Sequence, residues 1–350
     1  MTGAAKLAET LVREHDLPDE GLAALIETRD GESRRILGEA AGALAREIYG
    51  RKVFIRGLIE FTNYCKNDCL YCGIRRGNRK AERYRLAEEE ILGCCEEGYR
   101  LGFRTFVLQG GEDPHFTDGR LCSVTAAIRE RFPSCAITLS CGERSRESYR
   151  RLKEAGADRY LLRHETAGKA HYQKLHPPEM SWDNRVQCLF TLRELGYQVG
   201  CGMMVGSPYQ KTEDLVADLR FIQKLRPHMV GIGPFLAHKD TPFRGQENGT
   251  VELTLYLLSV IRLMNPRVLL PATTALGTAM AGGREEGILH GANVIMPNLS
   301  PPSARDKYML YDNKLRSGAE AAENIAALRE NLRKIGYEIA VDRGDSLVEG

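Results

Sequence analysis

The chain has 350 residues, with 49 Lys and Arg against 47 Asp and Glu, for a net charge of +2. Apolar residues make up 43% and charged residues 27%, a globular composition in a chain long enough to bury a core without disulfides. No run of 18 apolar residues occurs, which excludes a transmembrane helix, and the near-neutral charge speaks against a protein that grips nucleic acid through phosphates. The N-terminal stretch MTGAAKLAETLVREHDLPDE is charged throughout and lacks the apolar segment of a signal peptide, so a cytoplasmic setting is predicted. There the ten cysteines stay reduced, and clustered ones point to a metal or cluster rather than to disulfides.

Residues 1–50 read as two amphipathic helices, predicted to cap the bottom of the fold that follows. Short apolar, β-branched runs then recur at Val53–Ile59, Thr105–Leu108, Ala136–Leu139, Tyr160–Leu162, Gln198–Val205, Met229–Ile232, Val268–Leu270 and Asn293–Met296. Between them lie amphipathic stretches such as Glu88–Leu101, Arg146–Ala155, Asp183–Leu195, Thr212–Leu225 and Leu253–Met264. Gly102, Gly156, Gly196 and Gly291 stand where a helix ends and a strand follows, the place of a left-handed cap. Alternating strands and helices imply parallel pairing with right-handed crossovers. Eight such units predict an α/β fold, a TIM-type (β/α)8 barrel over residues 51–311. A doubly wound open sheet is the competing architecture. Residues 312–350 form a C-terminal extension, with one further helix over 316–335 that ends near Gly336.

In a parallel barrel the strand ends gather on one face, where active sites form. The ends here are polar or Gly-rich: Gln109-Gly110-Gly111-Glu112, Ser140-Cys141-Gly142-Glu143, Arg163-His164-Glu165 and Thr273-Thr274. Directly after the first strand comes Cys65-Lys-Asn-Asp-Cys69-Leu-Tyr-Cys72. Three thiolates on so polar a loop can hold three corners of a 4Fe-4S cubane and leave one iron open, the arrangement of catalysis rather than of structure. A structural zinc site borrowing a distant ligand is the plainer alternative. Cys94 and Cys95 fall in a predicted helix and read as packing residues. The run Arg75, Arg76, Arg79, Lys80, Arg83, Arg85 after the loop reads either as a solvated surface or as a dock for an acidic electron donor. No P-loop and no dinucleotide fingerprint occurs.

The C-x3-C-x2-C loop, with the aromatic Tyr71 before its last cysteine, resembles the signature of the radical S-adenosylmethionine (SAM) superfamily. The resemblance implies that Cys65, Cys69 and Cys72 ligate one 4Fe-4S cluster. SAM would chelate the open iron, and the reduced cluster would split it to a 5′-deoxyadenosyl radical. Gln109, Gly110, Gly111 and Glu112 look like the superfamily's GGE motif, which contacts the SAM amino group. The same resemblance gives Glu165 the ribose, Arg185 the SAM carboxylate and Met296 the adenine, with Tyr308 beside them as a further cofactor contact. For Arg185 a solvated helix position, and for Met296 a place in the core, are the plainer alternatives.

Longer strings narrow the resemblance. The segments 59–65, 159–167, 230–235, 271–278 and 291–298 are similar to the FeFe-hydrogenase maturase family HydE. That implies hydrogenase maturation: assembly of the diiron H-cluster from a small sulfur-bearing or organometallic iron species made by another maturase. A flavodoxin or ferredoxin would supply electrons. A cysteine-derived substrate carries a carboxylate, for which Arg56, Arg163, Thr273 and Thr274 offer donors beneath a closing Tyr311. Some members carry a second cysteine trio near the C-terminus. Here the last cysteine is Cys201, so a single cluster is expected. Methylornithine synthase and biotin synthase are the rival barrels, and the role of Cys141 and Cys201 stays open. Cys69→Ala is expected to abolish cluster binding and SAM cleavage while leaving the fold intact. Unchanged 5′-deoxyadenosine formation by that variant would refute the ligand trio.

Overall fold

The computed structural model describes residues 2–315 and 321–349. Three helices, not two, open the chain: α1 (Gly3–Glu14), α2 (Asp19–Thr28) and α3 (Gly31–Tyr49). Thr2 and Asp30 cap the first and third by accepting from the amides of Ala5 and Ser33. The barrel then runs β1 (Lys52–Ile55), β2 (Gly57–Thr62), α4 (Glu88–Arg100), β3 (Thr105–Gly110), α5 (Asp118–Arg131), β4 (Ala136–Ser140), α6 (Arg146–Glu154) and β5 (Arg159–Leu161). It continues through α7 (Lys169–Leu175), α8 (Trp182–Glu194), β6 (Gln198–Cys201), β7 (Met204–Val205), α9 (Thr212–Leu225), β8 (Met229–Val230) and β9 (Gly233–Pro234). The last part comprises α10 (Val251–Met264), α11 (Thr274–Ala279), α12 (Gly283–Leu289), β10 (Val294–Ile295), α13 (Pro302–Arg305), α14 (Ile325–Lys334) and β11 (Glu338–Ala340).

All the ladders are parallel, in the order β2-β3-β4-β5-β6-β8, and the ring closes through β10 onto β1 and Leu58. Residues 268–271 supply the remaining stave by single bridges, Met229 to Leu269 and Pro271 to Val294. Pro271 has no N–H to give a ladder, which accounts for the broken strand where a continuous one is expected. The expected first strand is likewise split at Arg56, with β1 pairing to β10 and β2 to β3. Gly102, Gly156, Gly196 and Gly291 all have positive φ at helix exits, as their spacing predicts.

Both ends of the chain differ from expectation. The N-terminal helices lie on the flank of the barrel, with α3 against α10 and α12, and α2 against α9. Gly42 permits this, since a Cβ there would stand 2.4 Å from the Leu289 carbonyl oxygen. The C-terminal helix is shorter than its expected span; residues 316–320 of that span lie outside the described residues. Beyond it β11 adds to β1, and residues 342–346 cross the starts of the strands. Thr105 donates its hydroxyl to the Arg343 carbonyl, and Asp345 pairs with Arg159 at 2.6 Å and with Arg343 at 3.0 Å. The bottom is therefore closed by the C-terminal tail.

Asp345 is the anion that this plug offers to the barrel's lower arginines. Burial opposes its charge, but hydrogen bonds from Arg159 and Arg343 hold its carboxyl down to about 2. It is half-exposed, so the pair contributes only about 1 kcal/mol. Asp345→Asn is expected to lower the melting temperature by about 2 °C and to speed limited tryptic cleavage at Arg343. An unchanged digestion rate would count against the plug.

Candidate active site

Beyond β2 the chain has no regular structure until α4, and each turn of it is tied to something fixed. Arg83 donates to the carbonyls of Asn63, Ile74, Arg75 and Asn78. Arg85 forks onto Asp113 at 2.6 and 2.9 Å and lies over the Tyr64 ring. Arg75 pairs with Asp68 at 2.6 Å. Half of the basic run is thus spent inside the loop, and Arg76 and Lys80 pair with Glu179 and Asp240 at its surface. The loop amides of Lys66, Leu70 and Gly73 donate to the carbonyls of Glu112, Leu175 and Leu310.

Cys65, Cys69 and Cys72 are free thiols on one wall of a cavity of about 290 Å³. Burial raises all three above the ordinary thiol value, that of Cys72 to about 12, and the neighbouring sulfurs add repulsion at Cys69 and Cys72. A cation bound among them would favour the thiolate form of all three. Among the described residues no three Cys, His, Asp or Glu side chains converge on a single ion. A cubane takes each thiolate on its own iron and asks for no such convergence. The trio fits a 4Fe-4S cluster.

Gln109, Gly110, Gly111 and Glu112 line the next wall. The sequence suggests that the two glycines leave room for a ligand, but at Gly111 the neighbour is the cysteine loop itself. A Cβ there would stand 2.2 Å from the Tyr64 carbonyl oxygen and 2.8 Å from the Cys65 Cβ. Glu112 faces Lys66 at 3.2 Å and accepts from the Glu143 amide. Arg185 is buried. It donates from Nε to Glu143 at 2.5 Å and from Nη1 to the Arg163 carbonyl, with Nη2 3.9 Å from Glu112. Burial works against its charge, yet Glu143 and Glu112 hold it well above the usual arginine value. An anion and a cation thus stand side by side, a match for an amino-acid zwitterion.

Arg163 and Glu165 line the cavity opposite, with Arg163 Nη2 3.3 Å from Glu165 Oε2. The angle does not make a hydrogen bond, so these two atoms, Arg163 Nε and Thr273 Oγ1 are buried without a hydrogen-bond partner among the described residues. Tyr308 and Tyr311 come from the segment that crosses the mouth. Lys314 holds that segment by its ion pair with the fully buried Glu60 and by donating to the Tyr308 carbonyl at 2.9 Å.

Three expected positions fall elsewhere. Arg56 is not in this cavity. It lies buried at the bottom of the barrel, where it donates to the Met229 sulfur and the Gly344 carbonyl. Met296 packs with the cluster of Phe54, Met229 and Leu269 rather than on the cavity wall. Thr274 opens α11 and does not line the cavity, because adjacent residues of that turn point different ways. Cys141 and Cys201 are buried in the core. The sequence missed Tyr71 as a wall residue held through its hydroxyl by His176 at 3.1 Å, it missed Leu236, and it gave no role to the strand-end Phe235, both of which line the cavity. It also left Glu143, the partner of Arg185, without a role. Glu143 lies in a strand-end string already read as polar, and that was its only signal.

Residues 59–222 match the radical SAM superfamily model. The chain is 44% identical over 315 residues to the FeFe hydrogenase maturase subunit HydE of Thermotoga maritima, covering 90% of this chain and 89% of the relative. It is 29% identical to 3-methylornithine synthase of Methanosarcina barkeri, over 95% and 93% of the two chains. A crystal structure of methylornithine synthase superposes with a TM-score of 0.83 at 28% identity, covering 95% and 97%. The barrel with a three-cysteine loop at its mouth is that of a radical SAM enzyme, which uses a 4Fe-4S cluster and SAM. Within that superfamily the chain belongs to the HydE family of FeFe-hydrogenase maturases. Among the described residues no helix is long and apolar enough to cross a membrane.

Because Gly111 packs directly on the cysteine loop, Gly111→Ala is expected to push that loop outward and cut iron loading to less than half. Iron and sulfide analysis after anaerobic reconstitution measures this. Full loading would show that the contact is not needed.

Proposed function

We propose that this enzyme cleaves SAM reductively beside Cys65, Cys69 and Cys72 and acts on a small, carboxylate-bearing sulfur or organo-iron species in assembly of the H-cluster. When bound, the reduced 4Fe-4S cluster supplies the electron for that cleavage. Cys65, Cys69 and Cys72 hold the cluster. Glu112 and Arg185, side by side, take the amino and carboxylate ends of SAM, while Glu165 accepts from its ribose hydroxyls. Gln109 and Tyr308 line the same cavity, and the closed barrel excludes water from the reacting atoms.

The observation that carries the substrate class is the set of idle donors in the same cavity. Arg163 Nε and Thr273 Oγ1 are buried without a hydrogen-bond partner among the described residues, and Arg163 Nη2 meets only Glu165, at 3.3 Å, without hydrogen-bond geometry, an arrangement that costs free energy unless a ligand answers it. A carboxylate fits the guanidinium fork, and the hydroxyl completes the grip. Tyr311 sits at the mouth above them. The electron donor is an acidic flavodoxin or ferredoxin, the other partners are fellow maturases, and the setting is the cytosol, where ten free thiols stay reduced.

A lysine mutase is the second reading, favoured by the likeness to methylornithine synthase. It ranks below because lysine brings a second ammonium, and the two acids that line the cavity, Glu112 and Glu165, are both assigned to SAM. Arg163→Leu is expected to keep SAM cleavage in the absence of substrate while slowing consumption of a cysteine-bound iron carbonyl cyanide about 100-fold. Mass spectrometry of reactions with L-lysine should show no isomer. A lysine isomer, or an Arg163→Leu variant as fast as the parent, would overturn the assignment.

A further inference from the structure

Glu165 is one of the few residues other than glycine with φ in the left-handed region, at +65°. A side chain there is strained unless its surroundings dictate the conformation. What dictates it lies outside the cavity. The fully buried Asp218, on α9, accepts with a single oxygen, Oδ1, from two donors on either side of Glu165. One is His164 Nε2, at 3.1 Å; the other is the Ala167 amide, at 2.5 Å. His164 in turn accepts at Nδ1 from the Gly202 amide, which fixes its neutral tautomer with the proton on Nε2. The Gly202 carbonyl accepts from the Glu165 amide at 3.0 Å. Gly202 has no space for a side chain, since a Cβ would stand 2.0 Å from the Gly231 carbonyl oxygen. The residues before and after Glu165 are thus clamped to α9 and to Gly202, just beyond β6, and the carboxylate between them is turned into the cavity.

We propose that Asp218 is a positioning residue for SAM: through His164 and the Ala167 amide it holds Glu165 in the left-handed conformation that aims its carboxylate at the bound nucleoside. This rests on the assignment of Glu165 to the ribose. Neither His164 nor Asp218 lines the cavity, and neither touches SAM or substrate. The Asp218 Oδ2 atom has no partner among the described residues, so an amide in its place keeps the working oxygen.

The test measures SAM binding to the cluster-loaded protein by anaerobic equilibrium dialysis, alongside KM and kcat for SAM cleavage. Asp218→Ala is expected to weaken SAM binding at least five-fold and to raise KM more than it lowers kcat, with iron content unchanged. Asp218→Asn is expected to stay within two-fold of the parent. Glu165→Gln weakens binding on its own, and Asp218→Ala added to it should cost little more. His164→Phe, which fills the same space against Phe221, carries the same expectation as Asp218→Ala and replaces it if that variant does not fold. If Glu165→Gln binds SAM as the parent does, the ribose assignment fails and the proposal fails with it. If Glu165→Gln weakens binding but Asp218→Ala and His164→Phe do not, the ribose assignment stands and the positioning role is overturned. Equal losses in Asp218→Asn and Asp218→Ala would also overturn it.

Discussion

Three half-buried thiols share one cavity wall, where burial and mutual repulsion disfavour their thiolate forms and a cation bound among them would favour them, and the surrounding structure is arranged around that demand. The cysteine loop carries no helix or strand to hold its shape. Its rigidity comes from arginine: Arg83 gathers four carbonyls, while Arg85 and Arg75 neutralise Asp113 and Asp68 on either side. Arg83 does double duty. It satisfies the backbone of an irregular segment, which would otherwise leave polar groups unpaired, and it puts positive charge near Cys65 and Cys72. The Gly111 contact then sets the distance between this loop and the next strand end. Cluster wall and SAM wall are therefore one packed unit, and movement of either is felt by the other.

A cavity for reactive chemistry needs two closed ends as well as a wall. At the mouth, the buried pair of Glu60 and Lys314 fastens the segment that carries Tyr308 and Tyr311. A buried ion pair gains little net stability, because desolvating both charges offsets their attraction. Its use here is geometric, since one lysine reaches an acid at the end of β2 and a carbonyl of the covering segment together. At the base, Asp345 reaches up to Arg159 from the last residues of the chain. Both closures come from residues that follow β10 in sequence, Lys314 and Asp345.

Much of this was legible in the residues. Periodicity and the capping glycines marked the barrel, because each βα unit repeats the same local chemistry. The helix over Thr212–Leu225 was bounded to the residue, and the cysteine spacing put the site at the mouth. What could not be read was direction. Arg56, Met296 and Thr274 stand in the right segments, yet their side chains leave for the base of the barrel, the lower core and the start of a helix. A period-two strand pattern gives a face only where the strand is regular, and here β1 and β2 are broken at Arg56 itself. The N-terminal helices were misplaced for a related reason. Amphipathicity shows that a face is buried but not against what, and the tail that occupies the base shows almost no apolar pattern.

The same distinction separates the residues that touch a ligand from those that make the touch possible. Glu112, Arg163 and Glu165 announce themselves by charge at strand ends, and Arg185 by its charge in the first turn of α8. Their supports, Glu143, Gly202 and Asp218, look ordinary in sequence, because what they supply is one oxygen or the lack of one methyl group. Only when the chain is folded does Glu143 meet the guanidinium of Arg185, and only then does Asp218 straddle Glu165. A barrel makes such supports necessary. Its strands deliver side chains to the rim at fixed spacings of their own, and a ligand that binds a metal cluster at one end and a substrate at the other needs them at different spacings. The difference is absorbed in the few residues after each strand, which is where the positive φ, the short glycine contacts and the idle donors of this site all fall.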